Sequence, residues 1–204
     1  TAFHIQFDVE KFLWEMNYGR DNLLTGMCKF NMSEKAQSEL DKVFLDICEK
    51  LHKEPKYIAH RDYHSRNLMI KFDEMRVIDF QDARMGPIQY DLVSLIRDSY
   101  VNIHEDMEEK LIEMYLLKAK SYLPKDFSRD HFNEIFELQT IQRCFKACGS
   151  FSSFYNLRND TRYLKYISHT LKRVLKSLSE FSQYKVFTDI LIDSGALERK
   201  YDAL

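Results

Sequence analysis

The residues that decide the fold are the run HRDYHSRN at residues 60–67 and the run VIDFQDA at residues 77–83. Nine residues separate the two runs, and they begin with the apolar stretch LMI at residues 68–70. Short apolar stretches beside such dense polar sequence indicate short strands that lead into loops. The acidic pair at residues 73–74 predicts a hairpin turn between them. We therefore expect a small β-hairpin of buried strands with a polar loop on either side.

Outside this insertion, apolar residues repeat at helical spacing. In the clearest example, six apolar residues recur three or four positions apart between Leu40 and Leu51, behind an N-cap sequence at residues 31–34. Pro55 ends that pattern. Further helices are predicted near residues 7–24, 90–100, 106–122, 130–148 and 160–181, with Pro124 and Gly149-Ser150 as breaks between the later ones. The sequence predicts a single unit of the α+β class, mostly α.

Composition and charge exclude several classes of protein. The chain has 204 residues, of which 45% are hydrophobic, so a wholly disordered chain is excluded. Lys and Arg number 30 and Asp and Glu 32, and this net charge of -2 predicts no nucleic-acid partner. No apolar run approaches the roughly 18–20 residues that span a bilayer, so no membrane partner is expected. Four cysteines are too few for a disulfide scaffold, which favours a reducing compartment such as the cytoplasm.

The first chemistry that fits the two polar runs is phosphoryl transfer. That reaction needs a carboxylate to orient the acceptor hydroxyl and oxygen ligands to hold magnesium on the nucleotide phosphates. The spacing H-x-D-x-x-x-x-N places Asp62 and Asn67 on one loop, and Asp79 follows the predicted hairpin. Residue types, spacing and order together match the catalytic loop and metal-binding Asp of kinases.

The second chemistry is metal-dependent hydrolysis. His60, Asp62 and His64 alternate, so on an extended strand all three side chains would point to one side, as a metal site requires. This alternative leaves Asn67 and the hairpin to Asp79 without a role. It is the weaker of the two, and both stay open on the residues alone.

The same residues carry a resemblance to a known family. The two runs, with GPIQYDL at residues 86–92, resemble the aminoglycoside phosphotransferase and choline kinase family. The sequences YDLVSLIRD at residues 90–98 and QRxxKxxGxF at residues 142–151 are similar to the bacterial sugar kinases within that family. Those enzymes phosphorylate N-acetylmuramate and N-acetylglucosamine at the anomeric hydroxyl. The similarity extends from Phe7 to about residue 178.

The resemblance implies a role for each of three polar residues. Asp62 would be the catalytic carboxylate that acts on the acceptor hydroxyl. Asn67 and Asp79 would bind Mg²⁺, and through it the phosphates of ATP. The implied cofactors are therefore ATP and Mg²⁺.

Four more residues would support these loops. The resemblance implies that His60 braces the first loop and that Asp91 anchors it by accepting backbone hydrogen bonds. His64 matches the residue that the family has at this position, where protein kinases usually have Lys. Gln81 would lie beside the metal or the substrate. Two further matching residues, at positions 97 and 98, receive no role.

The spacing also indicates the kind of acceptor. Eleven residues separate Asp79 from Asp91. A protein kinase needs room there for an activation loop and an Ala-Pro-Glu anchor, and neither fits. We therefore expect a small-molecule substrate, and the resemblance implies an amino sugar.

One part of a complete kinase is not recognisable. The five glycines stand alone, so there is no Gly-rich phosphate loop, and the residues before Asp62 read as helix rather than as a twisted sheet. Because the chain also begins with Thr1, we expect residues 1–204 to form the C-terminal lobe of a kinase-like fold, partnered by an N-terminal lobe of the same protein. The alternative is a kinase-like binding module that has lost catalysis. The intact set of Asp62, Asn67 and Asp79 argues against it, because clustered carboxylates are costly to keep without a ligand.

Overall fold

The protein is described by a computed structural model that covers residues 2–201. It contains seven α-helices and four short strands in that range. The helices are α1 (Val9–Gly19), α2 (Glu34–Lys53), α3 (Gln89–Ile96), α4 (Glu105–Ala119), α5 (Arg129–Arg158), α6 (Ile167–Leu178) and α7 (Lys185–Asp193). The strands are β1 (Lys56–Ala59), β2 (Leu68–Lys71), β3 (Glu74–Val77) and β4 (Arg84–Pro87). The predicted class, α+β and mostly α, is confirmed.

Helix α2 shows how the sequence produces these elements. Its first turn is capped by Ser33, whose hydroxyl accepts a hydrogen bond from the amide of Ala36 at 3.2 Å. The six apolar residues that repeat between Leu40 and Leu51 are all buried. The helix ends at Lys53, two residues before Pro55, so its predicted start, buried face and end are confirmed.

The central element is α5, a 30-residue helix that packs against α1, α2, α3 and α6. The prediction that Gly149-Ser150 breaks this helix is wrong, since the helix continues to Arg158 and ends at Asn159 in a left-handed cap. Gly149 instead lies against the end of α1, where a side-chain Cβ would come within 2.5 Å of the Cα of Gly19. The glycine is required by close backbone approach and not by a turn.

The strands form two separate antiparallel pairs. β1 pairs with β4, and β2 pairs with β3 in the hairpin that the sequence predicts. The turn of the hairpin falls on Phe72 and Asp73, both in the left-handed region with φ of 54° and 58°, one position earlier than predicted. Such a turn matches the twist of the strands that it joins.

The prediction that the hairpin strands are buried is wrong. Ile70 is 81% exposed and Phe72 87% exposed, and Met69, Met75 and Val77 are exposed as well. Their apolar character predicted strands correctly, but alternation along a strand does not tell which face another element covers. Within residues 2–201, no element covers these side chains.

Among residues 2–201, the helices are too short or too polar to span a bilayer.

The large buried cluster joins α1, α2, α5, α6 and α7, and a smaller one joins α3, α4 and the start of α5.

The contact between Gly149 and Gly19 allows a test in which helix propensity and side-chain packing predict opposite changes in stability. Alanine is a better helix former than glycine by about 1 kcal/mol, so helix propensity alone predicts that Gly149→Ala stabilises the protein. We expect the clash with the α1 backbone to dominate and to lower the free energy of unfolding by about 1–3 kcal/mol. Urea unfolding of Gly149→Ala and of the neighbouring control Ser150→Ala measures this difference. A variant at least as stable as the parent would contradict the close packing of α1 on α5.

Candidate active site

The first polar run forms a tight loop between β1 and β2, here named the HRD loop (residues 60–67). The amide of His64 donates to the carbonyl of Asp62 at 3.0 Å, and the amide of Asn67 donates to the carbonyl of His64 at 2.9 Å. The last three residues form one turn of 3₁₀-helix, Ser65–Asn67. The loop folds back on itself and places Asp62 and Asn67 side by side.

Two carboxylates hold the backbone of the HRD loop. Asp91, in the first turn of α3, accepts from the amide of His60 at 2.6 Å and from the amide of Arg61 at 3.0 Å. Asp98, which follows α3 and is 2% exposed, accepts from the amide of Ser65 at 2.8 Å. Both ends of the loop are thus fixed to one short helix.

Burial raises the pKa of Asp91, and the two backbone N–H bonds oppose that rise because they favour the charged form. A raised folded-state pKa means that the folded protein holds this proton more tightly than the unfolded chain does. The contribution of Asp91 to stability therefore falls as pH rises from its ordinary titration range to its raised pKa. The carboxylate is kept because the loop amides have no other acceptor among the described residues.

The carboxylate of Asp62 accepts no hydrogen bond from any residue in the range 2–201, so both of its oxygens are open to an acceptor hydroxyl. Its backbone carbonyl accepts from the Nδ2 of Asn67 at 2.9 Å. Positive charge lies nearby on the partly buried side chain of Lys146. Burial lowers the pKa of Lys146, and the carboxylates of Glu15 and Asp62 oppose that shift. Asp62 therefore stands on a fixed loop, and its charge favours the protonated form of Lys146.

The second polar run forms the DFQ loop (residues 78–82), which is tied to the HRD loop. The amide of Ile78 donates to the carbonyl of Asn67 at 3.1 Å, and the Nε2 of His60 donates to the carbonyl of Ile78 at 2.9 Å. Asp79 has a φ of 70°, a conformation that costs a non-glycine residue of order 1–3 kcal/mol and that often marks a functional position. The side chains of Asn67 and Asp79 meet, with 3.5 Å between Nδ2 and Oδ2.

These donor atoms fit a magnesium ion. Nδ2 of Asn67 bonds the carbonyl of Asp62 and faces Oδ2 of Asp79, so Oδ1 is the atom of this amide that is left for a cation. Mg²⁺ is usually bound by one or two such oxygen ligands together with substrate phosphates and water. The Nε2 of Gln81 donates to the other oxygen of Asp79 and so fixes the orientation of that carboxylate.

Sequence reasoning missed a charged network beneath the HRD loop. Arg61 has a φ of 80°, and its guanidinium pairs with Asp82 at 2.8 Å and with the fully buried Glu15 at 3.6 Å. Glu15 also accepts from the Nε2 of Gln142 on α5 at 2.9 Å. One signal was present in the sequence, since Glu15 falls among the buried positions of α1, where an unpaired charge would be costly.

Helix α5 supports the loop directly through Arg143. Its Nε donates to the hydroxyl of Ser94 on α3, and its Nη2 lies 3.5 Å from the carbonyl of Arg61. The motif at residues 142–151 therefore has a structural meaning. Gln142 and Arg143 connect the HRD loop to the central helix.

Arg97 and Asp98, which received no role from the sequence, have different environments. Arg97 pairs with Glu108 on α4 and lies 3.4 Å from Glu137 on α5, so it joins helices of the smaller cluster. Asp98 holds the HRD loop through Ser65.

The two histidines of the hydrolase alternative do not converge with Asp62 on one point. His60 is turned to the carbonyl of Ile78, whereas the ring of His64 packs edge-on against Tyr100 with 5.3 Å between centroids. Burial and the nearby Arg143 lower the pKa of His64. Within the described part of the chain, no three His, Cys, Asp or Glu side chains are grouped as a metal site.

Comparison with known sequences shows the family of the chain. The profile of the phosphotransferase enzyme family matches residues 10–125, a range that contains Asp62, Asn67, Asp79 and Asp91. The chain belongs to this family. The resemblance inferred from the residues is thereby confirmed.

Curated relatives of the chain have names that describe kinases. It is 35% identical over 149 residues to an N-acetylmuramate/N-acetylglucosamine kinase of Neisseria meningitidis, over 71% of this chain and 45% of that protein. It is 34% identical over 112 residues to a protein of the same name from Pseudomonas aeruginosa, over 54% of this chain and 33% of that protein. The chain thus spans less than half the length of these relatives.

The anchoring of the HRD loop by Asp91 can be tested with a near-isosteric change. In Asp91→Asn the amide oxygen still accepts one bond, but its NH₂ group faces a second N–H donor. We expect the free energy of unfolding to fall by about 1–3 kcal/mol and the amide hydrogens of His60 and Arg61 to exchange faster. Urea unfolding and hydrogen exchange measure both effects, with Asp193→Asn at the exposed end of α7 as the matched control. Unchanged exchange at these two amides would show that Asp91 does not hold the loop.

Proposed function

We propose that this protein is an ATP-dependent phosphotransferase that acts on a small-molecule hydroxyl, namely an amino sugar at its anomeric position. The observation that carries the proposal is the open carboxylate of Asp62 on a fixed loop, beside Asn67 and Asp79, whose side chains meet and offer an amide oxygen and a carboxylate. Membership of the phosphotransferase enzyme family supports the reaction type. The names of the relatives support the sugar as the acceptor.

Asp62 would accept a hydrogen bond from the acceptor hydroxyl, orient its oxygen and take its proton as the phosphoryl group is transferred. The fixed backbone of the HRD loop keeps this carboxylate in one place, which matters because phosphoryl transfer depends mainly on positioning. Asn67 and Asp79 would hold Mg²⁺, which when bound neutralises charge on the nucleotide phosphates. Gln81, through its bond to Asp79, would keep that ligand aligned.

We also propose that residues 1–204 are the C-terminal lobe of this enzyme and that an N-terminal lobe covers the nucleotide. The exposed apolar hairpin supports this, because side chains such as Ile70 and Phe72 lack a covering element among the described residues. The chain also spans less than half of its relatives. A nucleotide-dependent reaction and four unbridged cysteines fit a cytoplasmic location.

The role of Asp62 is tested by Asp62→Asn in the longer protein that carries this chain together with its N-terminal lobe. We expect turnover to fall by about 10²–10⁴-fold, because the amide cannot take the proton, and nucleotide affinity to change little. Steady-state kinetics with N-acetylglucosamine and calorimetry with ATP·Mg separate the two quantities, and Asp193→Asn is the control. Unaltered turnover would remove Asp62 from the mechanism.

The lobe proposal predicts a difference between this chain and the longer protein. On an exposed surface each contact to phosphate is worth much less than in a closed, water-excluded cleft. We expect this chain alone to bind ATP·Mg weakly by calorimetry and to show no multiple-turnover phosphorylation of N-acetylglucosamine or N-acetylmuramate. We expect the longer protein to bind ATP·Mg more tightly and to phosphorylate these sugars. Micromolar nucleotide binding by this chain would contradict the lobe proposal. Sugar binding without turnover in the longer protein would indicate a binding module instead of an enzyme.

A further inference from the structure

Arg66, next to the proposed magnesium ligand Asn67, projects from the HRD loop into a cavity lined with tyrosines. Its guanidinium carbon lies 3.8 Å from the ring centroid of Tyr100, and its Nη2 donates to the hydroxyl of Tyr166 at 2.9 Å. The cavity measures about 540 Å³, and Tyr163 and Tyr166 form part of its wall. It is large enough for a substituted monosaccharide to enter in part.

Two cations of this cavity have no ion-pair partner in the described part of the chain. Arg66 and Lys165 both line it, and neither has a carboxylate within ion-pair distance among residues 2–201. Arg162, on the same wall, is different because its guanidinium is bonded to Asp160 through both Nε and Nη2. The fork of Arg66 keeps donors available, and a planar guanidinium binds a carboxylate through two parallel bonds.

A flat aromatic surface lies beside this charge. The ring of Tyr163 is stacked on Phe151, with an angle of 2° between the planes, and on Phe154, with 4.9 Å between centroids. Rings packed in this way are held rigidly, and the half-buried Tyr163 keeps part of its surface at the cavity. The cavity therefore combines a guanidinium with a rigid aromatic wall.

Arg66 connects the cavity to the loop that carries the proposed catalytic carboxylate. Arg66 is separated from Asp62 by three residues of a loop that folds back on itself, and the side chain of Asn67 bonds the carbonyl of Asp62 at 2.9 Å. An acceptor that extends from Asp62 along this loop to the cavity would bring a second substituent to Arg66. N-acetylmuramate is N-acetylglucosamine with a lactyl ether on the C3 oxygen, so the two sugars differ by one carboxylate-bearing group.

Resting on the proposed function, we propose that Arg66 binds the carboxylate of an acidic acceptor sugar in this cavity and so makes the enzyme prefer N-acetylmuramate to N-acetylglucosamine. Tyr163 would pack against the sugar, and Lys165 would add positive charge at the rim. Arg66 is in this view a specificity residue. A purely structural Arg66, which only joins the HRD loop to Tyr166, would affect both sugars alike.

The test combines protein variants with substrate analogues, each variant being assayed with each sugar, in the longer protein that carries this chain. The variants are Arg66→Gln, Arg66→Lys and the matched control Arg129→Gln, an arginine at the remote start of α5 that pairs with Glu113. The substrates are N-acetylglucosamine, N-acetylmuramate and the neutral N-acetylmuramate carboxamide. The carboxamide removes the charge from the sugar without changing the protein, so a poorly folding variant does not prevent the test.

For Arg66→Gln we expect kcat/KM to fall by about 10- to 100-fold with N-acetylmuramate, mainly through KM, and by less than about twofold with N-acetylglucosamine. The parent should disfavour the carboxamide by a similar factor, whereas Arg66→Gln should use acid and carboxamide equally. With N-acetylmuramate, the kcat/KM of Arg66→Lys should lie between those of the parent and Arg66→Gln, because lysine keeps the charge and lacks the two-pronged guanidinium. Arg129→Gln should match the parent.

Three results would overturn the proposal. An equal loss with both sugars in Arg66→Gln would make the residue structural. A parent that uses the acid and the carboxamide equally would show that the carboxylate is not recognised, while leaving the proposed function intact. Phosphorylation of neither sugar by the parent would contradict the proposed function itself, and this inference with it.

Discussion

Backbone hydrogen bonds from the HRD loop to Asp91 and Asp98 are the interactions on which the rest of the site depends. Three amide groups, of His60, Arg61 and Ser65, donate to two carboxylates carried by one short helix and the residues after it. Amide groups left without acceptors in a partly buried loop would each cost about 1–3 kcal/mol. Because α3 packs on α5, the position of Asp62 is set by the helical core rather than by its own loop.

The HRD and DFQ loops each contain one strained position. Arg61 and Asp79 both have positive φ values, and neither lies in a tight hairpin turn or a helix cap that would require one. Each is stabilised by contacts of its own: Arg61 by Glu15 and Asp82, and Asp79 by Gln81 and the neighbouring Asn67. The conformation of Asp79 places its side chain next to Asn67, as the proposed magnesium site requires.

The sequence allowed more of the fold to be predicted than of the support beneath the site. Helix α2 and the hairpin follow from local periodicity, and the spacing of Asp62, Asn67 and Asp79 indicates the chemistry. Local patterns could not show that Glu15 pairs with Arg61, since that contact joins elements distant in the chain. They also could not show that Gly149 marks a contact between helices, because glycine occurs both at breaks and at close approaches.

The two arginines of the HRD loop show how charge pairing separates support from recognition. Arg61 lies among Glu15, Asp82 and the backbone acceptor Asp91, so its charge is already satisfied within the fold. Arg66 faces tyrosine rings and one hydroxyl, which stabilise a guanidinium without neutralising it. A cation held in place by aromatic groups has a fixed position and a residual charge. These are the two properties that a binding site for an anionic group requires, and on this loop they belong to Arg66.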